Sequence, residues 1–155
     1  MAMKKRTTEP KILCGIPQDV DATVLGTHLS DKKDFFERFL LMNEAILQNA
    51  PFHVAVHIIK GIATPPDPYV KAHCHPDFDE IGLVIGPKDE LEYEIILDGK
   101  ENRIKSPAAV YIPAGTYHRA RALSGNGAYV CILLDPKGPH AANVDIILGT
   151  QLTEG

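Results

Sequence analysis

Hydrophobic and polar positions change their rhythm at residue 51. Before it, Phe35, Phe36, Phe39, Leu40, Ile46 and Leu47 recur at spacings of three and four, with Asn43 between them, which predicts an amphipathic helix over Ser30–Asn49. Ser30 or Asp31 caps its start, Asp34 and Glu37 favour its dipole, and Ala50-Pro51 stops it. After Pro51 the chain reads as short runs rich in branched and aromatic residues, broken by turn residues. Phe52–Ile59 alternates, with His53, Ala55 and His57 on one face and Val54, Val56 and Ile58 on the other. Ile81–Ile85, Glu92–Leu97, Val110–Ile112 and Tyr129–Leu134 are further strands, and Asp98-Gly99 is a hairpin turn. Thr64-Pro65-Pro66-Asp67-Pro68 cannot be regular structure. Lys11–Ile16 is a short strand or arm ended by Pro17, and Asp19–Thr27 is ambiguous. Regularly spaced short strands with Gly/Pro turns imply a sandwich or barrel.

Composition narrows the function classes. With 155 residues the chain is one domain's worth, and 45% hydrophobic with 23% charged residues is ordinary for a globular protein. A net charge of -4 with no Lys/Arg stripe argues against nucleic acid. No apolar run approaches the ~20 residues that span a bilayer, and no signal-peptide core is evident near the start. Three irregularly spaced cysteines, Cys14, Cys74 and Cys131, make no disulfide framework, so a cytoplasmic location is expected.

The chemistry concentrates in two segments. In His73-Cys74-His75-Pro76-Asp77-Phe78-Asp79-Glu80, strand geometry presents His73 and His75 on one face, toward a single metal ion. Cys74 then points the other way and is expected to be buried. Asp79 or Glu80 supplies an anionic ligand. In Tyr111-Ile112-Pro113-Ala114-Gly115-Thr116-Tyr117-His118, a turn delivers His118 from a distant part of the chain. Imidazole donors suit zinc, copper, iron and nickel, and a carboxylate extends the set toward manganese. His53 and His57 read as strand histidines; Tyr69, Tyr111 and Tyr117 flank the ligand segments and read as packing residues. Arg119 and Arg121 share the parity opposite to His118 and are expected to meet solvent or a partner. His28 and His140 are expected at the surface.

These two segments together resemble the cupin superfamily. Its first motif runs His-x-His, three or four residues, Glu, then about six more to Gly; here His73-x-His75-x4-Glu80 fits, with Gly86 one residue early. Its second motif is Gly-x5-Pro-x-Gly-x2-His-x3-Asn; Pro113-Ala114-Gly115-Thr116-Tyr117-His118 matches the core, while Pro107 and Ala122 replace the outer Gly and Asn. The resemblance covers roughly residues 52–135. It implies a mainly β, double-stranded β-helix (jelly-roll) barrel over 52–155, with residues 1–51 as an N-terminal arm and α-helix packed on it. It favours Glu80 over Asp79, and implies one divalent ion (Fe, Mn, Ni or Zn) on His73, His75, Glu80 and His118. It further implies a small-molecule substrate, a homodimer, and metalloenzyme chemistry of dioxygenase type. Lyase or isomerase chemistry, or ligand binding without turnover, are the alternatives.

Overall fold

The computed structural model describes residues 9–18, 35–135 and 145–146. Among the described residues ten strands form: β1 (Ile16–Gln18), β2 (Phe36–Met42), β3 (Phe52–Ile62), β4 (His73–Cys74), β5 (Glu80–Ile85), β6 (Glu92–Leu97), β7 (Lys100–Lys105), β8 (Ala108–Ile112), β9 (His118–Leu134) and β10 (Asp145–Ile146). Every pairing among them is antiparallel. One sheet runs β1-β2-β3-β9-β5-β8, and the other runs β7-β6-β9-β4-β10.

β9 belongs to both sheets. Residues 118–124 pair with β6, and residues 128–133 pair with β5. The changeover falls at Ser124-Gly125-Asn126-Gly127, where Gly125 and Gly127 have φ of 94° and 154°. Sequence alternation predicts a strand only from Tyr129; the glycines let one chain segment cross between sheets without ending. A Cβ at Gly125 would lie 1.7 Å from the backbone oxygen of Glu90, which has no flexible end to move aside. Gly125→Ala is therefore expected to cost about 3 kcal/mol through overpacking and left-handed strain, read as a lower urea midpoint. An unchanged midpoint would show that the two sheets tolerate a shift at this crossing.

The core lies between the sheets. Phe36, Ile59, Val84 and Tyr129 from the first meet Tyr93, Ile95 and Ala122 from the second, with Tyr69 and Leu91 closing the sides. Tyr93 and Tyr129 stack across the layer at 4.7 Å between ring centroids. Their OH groups enter the interior with the rings, so polar chemistry is built into an otherwise apolar core.

The helix expected over Ser30–Asn49 is overturned. Residues 30–34, like Asp19–Thr27, His28 and His140, lie outside the described residues; Phe36–Met42 is a strand, and Asn43–Ala50 is a series of turns. The Phe/Leu spacing fits a helical stripe, but Phe36, Arg38 and Leu40 are the buried positions and Glu37 is exposed, which is a period of two. Pairing with β3, from Phe36↔Ile59 to Met42↔Val54, outweighs local helix propensity. Asn43 accepts through its side chain from the N–H groups of Ala45 and Ile46, closing a turn that the sequence mimics as helix. Pro17 also lies inside β1 rather than ending it, as an edge strand allows. The Asp98-Gly99 hairpin holds as read: both residues have positive φ, 47° and 83°, and join Leu97 to Lys100.

Candidate metal centre

His73, His75, Glu80 and His118 come together and are all buried. One donor atom from each lies within 4.8 Å of the other three. His73 sits directly opposite His118 in the β4–β9 pairing, and Glu80 opens β5. The turn at 113–116 is tied to the first motif by the N–H of Gly115 donating to the His75 carbonyl at 2.9 Å. Asp98 anchors the approach to His118: its carboxylate accepts from the Tyr117 N–H at 3.0 Å.

Ring orientation is controlled from behind. His73 Nδ1 lies 2.7 Å from the Lys71 carbonyl and His118 Nδ1 lies 2.9 Å from the Thr116 carbonyl. A carbonyl only accepts, so Nδ1 carries the proton and Nε2 presents its lone pair inward, the tautomer a metal ion needs. Phe78 stacks on His75 at 4.7 Å and holds its plane. Glu80 Oε2 approaches His75 Nε2 at 3.1 Å and His118 Nε2 at 2.8 Å. Yet Glu80 Oε2 and His118 Nε2 are buried without a hydrogen-bond partner. A cation shared among these donors satisfies both atoms, so the residues fit a metal ion. Two ligands each about 2.1 Å from one ion stand at most about 4.2 Å apart, so the cluster needs only a small closing movement.

Electrostatics agree with that fit. Burial pushes His73 down to about 3, keeping it neutral. Burial works against ionised Glu80, but the neighbouring His118 and His75 hold its carboxyl well below the usual range. Burial would lower His118, and the Glu80 carboxylate overrides it and raises the imidazole. A cation held among these donors would take the role that the His118 proton plays beside Glu80.

Asp79 is resolved by where it points. Its carboxylate accepts from the Ala114 N–H at 2.8 Å and from the Tyr111 hydroxyl, and so secures the 113–116 turn from outside. Tyr111 is 56% exposed, and the Tyr69 hydroxyl accepts from the Ala122 N–H at 2.8 Å; neither lines the cavity next to the cluster. Cys74 is buried as expected. Arg119 and Arg121 depart from expectation. Instead of meeting solvent they converge on buried Glu94, at 3.7 and 2.8 Å, and Arg121 also donates to the Pro66 carbonyl. The Pro-rich segment reaches Arg121 through the Pro66 carbonyl, a contact that strand parity alone could not show.

The cluster borders a cavity of about 50 Å³ lined by Arg38, His57, Val70, His73, Glu80, Tyr93, His118, Ala120, Tyr129 and Cys131. Cys131 donates its S–H to Glu80 Oε1 at 3.0 Å, which orients the carboxylate. Arg38, Tyr129 and Cys131 carry no motif that marks them in the sequence. The one available signal is Arg38 itself, a lone charge inside an aromatic and aliphatic run; read as helix it points outward.

No family model matches the sequence, and no curated protein matches it. Solved structures do. A cupin 2 domain-containing protein from Halorhodospira halophila aligns at 16% identity over 71% of this chain and 69% of that one, with a TM-score of 0.51. A variant of Streptomyces PAC13, solved with uridine, aligns at 7% identity over 83% and 92%, with a TM-score of 0.54. The FeII form of HppE aligns at 14% identity over 84% of this chain and 62% of that one, with a TM-score of 0.55.

Proposed function

We propose, from the premise that this chain has the cupin fold, that it is a mononuclear metalloenzyme acting on a small molecule. The supporting observation is the buried, convergent set His73, His75, Glu80 and His118 at the wall of a cavity. Four protein donors leave a position open for substrate when the ion takes five or six ligands, and the cavity beside them gives that position room. Iron, manganese, nickel and zinc all accept this donor set. When bound, the ion supplies Lewis acidity or, as iron, dioxygen chemistry. The protein's own contribution is to hold His73 and His118 in the tautomer that leaves Nε2 bare and to fix the carboxylate through Cys131. The finer reading is a dioxygenase-type enzyme on a double-stranded β-helix barrel, carried by the compatibility of the donor set with iron(II). A lyase or isomerase reading is the alternative, carried by the Lewis acidity that the same donor set would give a bound ion. A homodimer in a reducing compartment completes the proposal, and light scattering on the purified protein tests the assembly.

Elemental analysis of untagged protein is expected to return about one ion per chain. Chelation is expected to lower Tm by about 10 °C, as removal of an ion that binds only the folded state does. Oxygen uptake by iron-loaded protein with small substrates separates the two chemistries. Protein isolated without metal, with a Tm indifferent to chelator, would remove the metalloenzyme reading altogether.

A further inference from the structure

Among the described residues Arg38 makes no direct ion pair. It is 5% exposed, in β2, and its guanidinium is held by two neutral acceptors: Nε donates to Gln18 Oε1 at 3.1 Å and Nη1 to His57 Nε2 at 2.8 Å. Because Arg does not give up its proton, His57 accepts at Nε2 and is the neutral tautomer protonated at Nδ1. A buried cation held directly only by dipoles, with the Glu80 carboxylate acting on it from across the cavity, is costly unless something else neutralises it.

Its placement shows what that is. Register aligns Gln18, Arg38, His57 and Tyr129 as one row across β1, β2, β3 and β9. Arg38, His57 and Tyr129 line the same cavity as His73, Glu80 and His118. The row is built on strands, so the guanidinium is pre-oriented with Nε and Nη1 occupied by the protein and Nη2 given no acceptor by the described residues. A divalent ion, one carboxylate, neutral imidazoles and one guanidinium would leave a net charge of about +2 in the cavity, which favours an anion. Water-sized groups take ~10–15 Å³ each in such a space. A cavity of about 50 Å³ therefore admits a ligand of roughly four or five non-hydrogen atoms.

We infer that the cavity is a small-carboxylate site: Arg38, steadied by Gln18 and His57, takes the carboxylate, while a second oxygen of the same ligand faces the His73–His75–Glu80–His118 cluster. The second half and the +2 charge rest on the metal reading above; the hold of Arg38 on the carboxylate does not. Gln18 and His57 are positioning residues, acting through Arg38. A hydroxy or oxo acid of two carbons has the required size and two oxygen functions.

Glycolate and its uncharged amide, glycolamide, separate charge from shape. Calorimetry on zinc-loaded protein is expected to show glycolate binding at least tenfold tighter than glycolamide. Arg38→Met is expected to lose at least tenfold in glycolate affinity with its zinc content and Tm retained. Equal affinity for the two ligands in the unmutated protein overturns the inference without any variant, as does full glycolate affinity in Arg38→Met. If the unmutated protein holds no zinc, the metal reading fails separately. The carboxylate site is then judged by whether glycolate raises the Tm of metal-free protein but not of Arg38→Met; no rise in either overturns it.

Discussion

Replacing Glu80 with glutamine is expected to empty the metal centre while leaving the fold standing. Glutamine keeps the volume of the side chain at a fully packed position, so the strands on either side of Glu80, at Ile112 and Leu133, retain their register. What it removes is the one negative charge among the four donors. Loss of partners outside the ligand set already weakens metal affinity by about 10–100-fold, and loss of the anionic ligand itself is expected to exceed that. Elemental analysis after gel filtration should then fall from about one ion per chain to under about a tenth. Asp79→Asn should keep the ion, because that carboxylate holds the Ala114 N–H and the Tyr111 hydroxyl at the surface. The reverse pattern, with Glu80→Gln loaded and Asp79→Asn empty, would mean that the carboxylate has been misassigned.

Acidification is expected to destabilise the metal-free protein steeply between pH 6.5 and 4. Burial, then the Arg38 charge, depresses His53 from 6.5 to about 4. The unfolded chain takes up that proton near pH 6.5 and the folded chain refuses it until about 4, so stability present above 6.5 is lost across that window. The depression is worth on the order of 3 kcal/mol, a large share of the ~5–15 kcal/mol that holds a domain together. Burial and Arg38 push His57 well below its ordinary value, and burial takes His73 to about 3, so both act in the same direction. Glu80, held low by His118 and His75 against its burial, adds to the loss below its unfolded value near 4.5. His118 opposes: its raised pKa contributes stability at low pH that disappears as pH rises. One group against four leaves the net slope positive. Thermal melts in chelator at pH 7.5, 6, 5 and 4 should show Tm falling at every step, with a shallower slope in His53→Gln. A flat profile from pH 7 to 4.5 would show that water reaches these imidazoles in the folded protein.

The histidines of the cluster were legible because their placement rests on short-range geometry. His73 and His75 are two apart in extended chain, and Pro113-Ala114-Gly115 turns the chain just before His118. The choice between Asp79 and Glu80 was a matter of which neighbour faces inward, and only the pairing of β5 with β8 and β9 decided it. The segment around Phe36 misleads because its apolar residues satisfy periods of 3.6 and of two alike. Arg38 is lost with it: placed on a helix it belongs to the solvent face, and placed on β2 it belongs to the cavity.

By itself the sequence determined the strand-and-turn texture, the Asp98-Gly99 hairpin and the histidine pattern, all of which depend on residues a few positions apart. Tertiary structure decided the rest: that Phe36–Met42 is a strand, that β9 crosses from one sheet to the other, that Arg119 and Arg121 serve Glu94, and that Arg38 shares a cavity with Glu80. Those outcomes follow from sheet pairing and burial between segments far apart in the chain, energies that no local pattern encodes.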